Sequence, residues 1–432
     1  MTLSGKRVNI LGAGSSGRAA AALALREGAE VHVYDGREKI DAAIEGATLH
    51  AGITPDSAAA CDLLVVSPGV PTYGELVAAF SREAGETVGE IELASRYYEG
   101  RIIAITGTNG KTTTTELVER VMSASGFATA ACGNYGTPVC EVVMRDPVPQ
   151  VLALEASSFQ LETIAGFRPD VAVWLNFSPD HMDRYESVGQ YRAAKLRIFE
   201  NQRADDTAVV RHGEELPQLA ASVVTFSTER PEAEWFSDGR RLMHRGELFL
   251  DLHEGSHLRG LHNAENAMAA IAAGLAAGAD RGSISRAFDG YAPPRHRCEL
   301  VRTLDGVEWL NDSKATNLHA LESALRSQDR PVVLIAGGKE KGLDYTPLLP
   351  LLRERVRSVV TFGQIGPALA GTLGSAVPAE CVATLAEAVP LARGHAVRGG
   401  TVLFSPGTSS FDQFDGYEER GATFCQLVKE LR

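Results

Sequence analysis

Short runs of β-branched and aliphatic residues that end in Gly or Asp alternate along the chain with longer segments of helical period. A strand buried on both faces reads as a nearly continuous apolar run, and its return path reads as a helix. The alternation therefore predicts parallel sheets with crossover helices, an α/β protein. Candidate strands fall at 8–11, 31–34, 63–66, 102–106, 151–154, 171–175, 332–336, 358–362 and 401–405, in three groups. The groups separate around residues 92–100 and at Pro293-Pro294-Arg295-His296, where adjacent prolines stop a helix and stiffen a connection, suited to a hinge. Three domains are expected: 1–93, Rossmann-like; 94–294, a mostly parallel ATPase-type sheet; and 295–432, again Rossmann-like. Residues 204–259 mix Gly, Asp and short alternating runs such as Glu247-Leu248-Phe249-Leu250-Asp251, which suggests a small accessory antiparallel sheet. The longest apolar run, 267–279, falls short of the ~20 residues needed to cross a bilayer and reads as a buried, Ala-rich helix.

Composition narrows the function classes. The 432 residues carry 42 basic and 55 acidic side chains, a net charge of −13, with 44% hydrophobic residues. Such a chain can bury large cores, and it has no bulk attraction for nucleic acid or an anionic membrane. Any phosphate it binds must meet a local set of donors. Cys61, Cys132, Cys140, Cys298, Cys381 and Cys425 form no Cys-x-x-Cys pair, so neither a zinc site nor a disulfide framework is signalled. The N-terminus runs directly into a strand without the apolar stretch of an export signal, and a cytoplasmic location is expected.

Two glycine loops carry the chemistry. Gly12-Ala13-Gly14-Ser15-Ser16-Gly17 follows the first strand and opens an Ala-rich helix, and Asp35 ends the next strand. This is formally the dinucleotide fingerprint: close approach of a diphosphate to a helix N-terminus, with an acid for a ribose hydroxyl. It fits a nucleoside diphosphate of some kind, and a nicotinamide-dependent oxidoreductase is the rival reading. Ser67-Pro68-Gly69-Val70-Pro71 ends the third candidate strand near the same edge. The second loop, Gly107-Thr108-Asn109-Gly110-Lys111-Thr112-Thr113, lies between the apolar strand 102–106 and a helical segment. It is a shortened phosphate loop, with Ile105 where the long form has glycine. Backbone N–H groups cradle phosphates, Lys111 reaches the β/γ oxygens, and the Thr112 hydroxyl is a Mg²⁺ ligand. Glu155, at the end of an apolar strand, stands where a Mg²⁺-holding carboxylate is needed. Pro179-Asp180-His181-Met182-Asp183 follows the next strand; His181 is a competent metal ligand or a surface histidine. By spacing alone, Lys195 is one more helix lysine.

Gly107-Thr108-Asn109-Gly110-Lys111-Thr112, Asp180-His181-Met182-Asp183, Tyr191-Arg192-Ala193-Ala194-Lys195, His262-Asn263-x-x-Asn266-Ala267, Asn311-Asp312-Ser313-Lys314-Ala315-Thr316-Asn317 and Ser410-Phe411-Asp412-Gln413-Phe414 resemble, in that order and over essentially the whole chain, the Mur ligase family. The 311–317 stretch resembles the branch that adds D-glutamate. The resemblance implies an enzyme of peptidoglycan synthesis, an ATP-dependent amide ligase that joins UDP-N-acetylmuramoyl-L-alanine to D-glutamate through an acyl phosphate. A monomer is expected.

The resemblance also implies residue roles. The first loop would hold UDP: Gly14, Ser15, Ser16, Asp35, Arg37, Ser67 and Gly69, with Asn134, Ser157 and Gln160 along the muramoyl-alanine arm. Gly107 to Thr113 with Asn266, Arg297 and Asp312 would contact ATP. Two Mg²⁺ ions would sit by Thr112 and Glu155, and by His181 and Lys195, the last carrying a carbamate that turns its cation into a carboxylate. Lys314, Thr316, Lys341, Ser410, Phe411 and Tyr417 would receive D-glutamate, Tyr417 standing where the family pattern has phenylalanine. A related Mur or folylpolyglutamate-type ligase for another amino acid is the nearest alternative; a catalytically silent nucleotide-binding scaffold is a third.

Overall fold

The computed structural model describes residues 2–40, 44–182, 184–292, 295–328 and 330–432. Asp183 and the expected hinge Pro293-Pro294 lie outside them. The chain forms two compact units, Met1–Asp251 with Ala264–Asp289, and Leu252–Asn263 with Gly290–Arg432.

The first unit holds two sheets. Strands β1 (Arg7–Leu11), β2 (Glu30–Asp35), β3 (Thr48–Ala51), β4 (Leu63–Val66) and β5 (Thr87–Gly89) pair in parallel, in the order β3-β2-β1-β4-β5. The chain leaves β1 towards β2 and later returns to its other side with β4, so the crevice at the carboxyl ends of β1 and β4 is a topological switch point. The helix Ser15–Arg26 buries Ala19, Ala20, Ala21, Leu23 and Ala24, small side chains that let it lie close to the sheet. Gly17 is forced by that approach: a Cβ there would sit 1.8 Å from the Gly12 carbonyl oxygen.

The second sheet runs β14-β13-β12-β11-β10-β9-β6-β8-β7, from β6 (Arg101–Thr106), β7 (Thr129–Gly133), β8 (Val151–Glu155), β9 (Val171–Trp174), β10 (Thr207–Arg211), β11 (Ser222–Ser227), β12 (Trp235–Ser237), β13 (Arg241–His244) and β14 (Glu247–Asp251). The accessory strands are thus no detached sheet. β10, β11 and β12 continue the central sheet in parallel, and only β12, β13 and β14 pair antiparallel. Arg245 and Gly246, both at positive φ, make the tight turn that permits the last hairpin. β6 lies between β8 and β9, which puts its carboxyl end at a second switch point.

One core runs through both sheets, joining Val8, Ile10 and Leu63 to Cys140, Leu152 and Ile198. Two buried acids lie in it. Glu92 Oε2 accepts the backbone N–H groups of Ala165, Gly166 and Phe167 at 2.9, 3.0 and 2.7 Å, which satisfies its charge. Glu90 Oε1 accepts from Cys140 N, at 2.6 Å, and its buried Oε2 has no hydrogen-bond partner among the described residues. Burial pushes its carboxyl up to about 7, from 4.5. The unfolded chain therefore binds fewer protons across that window, and stability falls as pH rises through it, by on the order of 3 kcal/mol at full effect. Glu90→Gln keeps the acceptor for Cys140 and removes the ionisation. Its thermal midpoint should exceed that of the wild type at pH 8 and converge on it as pH falls towards 4; parallel pH profiles for the two proteins would refute this.

The second unit holds β15 (Glu299–Leu304), β16 (Val307–Asn311), β17 (Val332–Gly337), β18 (Val356–Phe362), β19 (Ala379–Cys381) and β20 (Thr401–Phe404), in the order β15-β16-β20-β17-β18-β19, parallel except for the β15–β16 hairpin. Along β17, Val332, Leu334 and Ala336 join one core, while Val333 and Ile335 join the other. This sheet is covered on both faces, which is why β17 is apolar at every position.

Candidate active site

The first glycine loop and the loop after β4 meet at the switch point of the first sheet. They line a cavity of about 540 Å³ with Gly12, Gly14, Ser15, Ser16, Asp35, Ser67 and Gly69 in its wall, together with Tyr34. Ser67 Oγ donates to Gly12 O at 3.0 Å and ties the two loops together. Asp35 accepts from Ala13 N (2.7 Å), Arg37 N (2.9 Å) and the Arg37 guanidinium (2.8 and 2.9 Å). Those bonds, Arg37 foremost, hold its carboxyl well below the usual carboxylate range. Asp35 thus shapes the loop as well as facing the cavity; Arg37 reaches the site through Asp35 and is not itself in the wall.

The far wall of the cavity comes from the second sheet, through Gly133, Asn134, Gly136, Pro138 and Gln160. Asn134 Nδ2 donates to Glu155 Oε1 at 2.6 Å. Ser157 does not line the cavity. It caps the helix Ser158–Leu161, accepting from Gln160 N, while Gln160 Oε1 accepts from Ser157 N at 3.0 Å. This reciprocal capping box accounts for both side chains structurally.

The second loop leaves β6 and enters the helix Lys111–Ala124 through Gly110 at φ 87°. A Cβ at Gly110 would meet Asn266 Oδ1 at 2.3 Å, which places Asn266 against the loop. Asn109 and Asn176 bond reciprocally, Asn109 N to Asn176 Oδ1 at 2.9 Å and Asn176 Nδ2 to Asn109 O at 3.1 Å. Thr108 Oγ1 donates to Ser178 O at 3.0 Å. The loop is therefore fixed from the end of β9, and N–H groups at a helix N-terminus form a ready anion seat. Thr113 is buried in the first turn of that helix, and Thr112 is half-buried beside Lys111.

Lys111 Nζ donates to the carbonyls of Gly107 and Thr108 at 3.0 and 2.9 Å. Lys195, only 2% exposed, donates to the same Gly107 carbonyl at 2.9 Å, and its Nζ lies 4.9 Å from the Tyr191 ring centroid. Burial first, and the neighbouring Lys111 second, push the Lys195 amine well below the usual lysine range. His181, at φ 56°, stacks edge-on against Phe159 and Tyr191 at 4.9 and 6.0 Å. The fold thus brings His181, Lys195 and the phosphate loop together around Tyr191. Glu155 pairs with Ile105 across β6–β8, and its buried Oε2 has no hydrogen-bond partner among the described residues. A buried, unsatisfied carboxylate oxygen beside a phosphate loop and the Thr112 hydroxyl is the donor set a hard divalent cation takes, so these residues fit Mg²⁺.

In the second unit, Asp312 is buried; its carboxylate accepts from Ser405 Oγ at 2.8 Å and Cys298 N at 3.2 Å, and burial pushes it up to about 7. Lys314 Nζ lies 3.7 Å from the Tyr417 ring centroid, a cation–π contact that orders both side chains. Ser410 is buried, Phe411 is 64% exposed, and Thr316 and Arg297 are half-buried. Lys341 is exposed, with no hydrogen bond or ion pair among the described residues.

Sequence reading missed several residues here. Arg420 is fully buried and donates to Ser313 Oγ and O at 3.0 and 2.8 Å and to Thr408 O at 3.1 Å, joining the 311–317 motif to the segment before Ser410. Asn176 clamps the phosphate loop. Neither had a local signal, Asn176 being one polar residue after an apolar run and Arg420 one charge in a charged helix start, because their partners lie far away in sequence.

The Mur ligase middle domain profile matches residues 105–274, and the Mur ligase glutamate ligase domain profile matches residues 296–407. The chain belongs to the Mur ligase family, and it is a ligase. Relatives from Geobacter metallireducens and Myxococcus xanthus, each 42% identical and aligned over 100% of this chain and 99% and 100% of their own, bear the name UDP-N-acetylmuramoylalanine--D-glutamate ligase. Among solved structures, the UDP-N-acetylmuramate-alanine ligase of Thermotoga maritima shares the fold, with a TM-score of 0.59 at 19% identity, covering 98% of this chain and 99% of that one. So does a pseudomurein peptide ligase type C from Methanothermus fervidus, with a TM-score of 0.61 at 16% identity, covering 99% and 100%. No helix among the described residues is long and apolar enough to cross a membrane.

Proposed function

We propose that the chain joins D-glutamate to UDP-N-acetylmuramoyl-L-alanine through an amide bond and cleaves ATP to ADP and phosphate. Its full-length relatives bear the name of that activity. One observation in the fold supports it above others: the cavity of the first sheet reaches Asn134, which bonds Glu155, which stands beside the strand leading into the phosphate loop. A substrate with a nucleoside diphosphate at one end and a reacting carboxylate at the other fits that path. The expected division of labour is 1–93 for UDP, 94–294 for ATP and 295–432 for D-glutamate.

A carboxylate is a poor electrophile and has to be activated. Its oxygen attacks the γ-phosphorus and ADP leaves; the D-glutamate amine then attacks the carbonyl carbon of the acyl phosphate, loses a proton and expels inorganic phosphate, leaving the amide. Gly107 to Thr113 seat the phosphates, and Lys111 swings from its loop carbonyls to the γ-phosphoryl oxygens. Gly14, Ser15, Ser16, Ser67 and Gly69 hold the UDP diphosphate, and Asn134 and Gln160 guide the arm. Thr112 and Glu155 would hold one Mg²⁺, and His181 with a carbamylated Lys195 a second; the ions supply charge neutralisation to the triphosphate. Asn266, Arg297 and Asp312 serve the nucleotide. Lys314, Thr316, Lys341, Ser410, Phe411 and Tyr417 receive D-glutamate, the lysines pairing with its carboxylates. The enzyme acts in the cytoplasm as a monomer.

ADP release with UDP-N-acetylmuramoyl-L-alanine, measured against D-glutamate, L-glutamate and D-alanine, tests this reading. D-Glutamate should be preferred by about 100-fold or more: D-alanine lacks the second carboxylate, and L-glutamate cannot place both carboxylates and its amine at once because its configuration is opposite. Comparable rates with L-glutamate or D-alanine would overturn the assignment.

A further inference from the structure

A buried ion pair joins the loop after β4 to the loop after β9, and no role assigned above uses it. The Arg184 guanidinium donates to Pro68 O at 2.7 Å, to Val70 O at 3.2 Å and to Glu162 Oε2 at 2.9 Å. Glu162, whose side chain is 1% exposed, also accepts from the hydroxyls of Thr72 and Tyr185. Pro68 and Val70 line the first cavity; Arg184 does not. The backbone N–H groups of Arg184 and Tyr185 both donate to His181 O, at 3.0 and 3.1 Å. The same guanidinium lies 3.9 Å from the centroid of the Phe159 ring, on which His181 also packs, at 4.9 Å.

We propose that Arg184, oriented by Glu162, is a positioning residue that couples the filling of the first cavity to the placement of His181. The proposal rests on the reading of that cavity as the seat of a uridine diphosphate. The argument is geometric. The turn at 67–70, closed by Val70 N donating to Ser67 O at 2.9 Å, is a wall of the cavity, and its outward carbonyls are held by one rigid planar fork. That fork belongs to the turn that carries His181, so the two loops cannot shift independently while the ion pair is whole. A ligand that fixes the 67–70 turn thereby fixes Arg184 and Tyr185, whose N–H groups hold the His181 carbonyl, and by linkage the effect runs both ways. Lysine has three donors on one freely rotating nitrogen, and that nitrogen cannot reach two carbonyls and a carboxylate from the separate positions that the guanidinium fork offers.

UDP alone, titrated by calorimetry into the intact chain, is the probe, with ADP as the control for the phosphate loop and amide hydrogen exchange as the readout for the peptide containing His181 and Tyr185. In the wild type, UDP should slow exchange in that peptide. Arg184→Lys and Glu162→Gln should bind UDP about 10-fold more weakly and lose the slowing, with ADP affinity unchanged to within about twofold. Their KM for the UDP substrate should rise and kcat fall while KM for ATP holds. UDP affinity and UDP-induced slowing retained in Arg184→Lys would overturn the coupling, as would an equal loss of ADP binding, which marks general damage. Failure of the wild type to bind UDP would show separately that the cavity reading is at fault, and the proposal would go with it.

Discussion

Lys111→Ala should lower turnover by about 10³-fold while leaving the fold intact, because it removes the cation that meets charge developing on the transferred phosphoryl group. The size of the effect follows from what is left nearby. Lys195 is the nearest replacement, and it already bonds the same Gly107 carbonyl. Burial pushes its amine well below the usual lysine range, which makes it a poor substitute for the Lys111 cation. The helix N-terminus still binds phosphate, so ATP affinity should fall much less than kcat. Initial rates of ADP release, an ATP titration and a thermal melt separate these effects. A well-folded Lys111→Ala enzyme with near wild-type turnover would refute the role of the loop.

The second large effect is expected at Lys195. Lys195→Ala should cost about 10²-fold or more in kcat, and so should Lys195→Arg, which keeps a positive charge but cannot become a carbamate. A neutral amine is the form whose lone pair attacks carbon dioxide; the nitrogen loses a proton and a carboxylate results. Burial beside Lys111 disfavours the ammonium and so favours that amine, and the carbamate would reverse the local charge from repelling Lys111 to attracting it. Carbon-13 NMR of the protein equilibrated with labelled bicarbonate should show a carbamate carbonyl that is absent from Lys195→Ala. An unlabelled wild type together with an active Lys195→Arg would remove both the modification and the second metal position built on it.

The path from residues to site was legible where the determinants are local. Gly12 to Gly17 and Gly107 to Thr113 each lie between an apolar strand and a helix, and a phosphate loop needs only that strand, that turn and that helix start, contiguous in sequence. The apolar strands of the sheet centres were visible for the same reason, since burial on both faces removes alternation altogether. Short edge strands such as β3, β5 and β19 carry little such signal and escaped notice. The alternation in 204–259 marks strands, and β12, β13 and β14 do pair antiparallel, but their place at the edge of the central sheet was not legible, because strand pairing is a long-range choice and alternation does not name neighbours.

By itself, then, the sequence determined the α/β class, the two glycine-rich turns between strand and helix and, through its motifs, the family. Tertiary structure alone decided which distant groups would share an environment. It set Lys195 on the carbonyl of Gly107, buried one oxygen of Glu155 with no hydrogen-bond partner among the described residues, and closed Arg184 and Glu162 between two loops. The reason is that burial, desolvation and ion pairing depend on distances through space, and a chain folded into three sheets brings together residues that no window along the sequence contains.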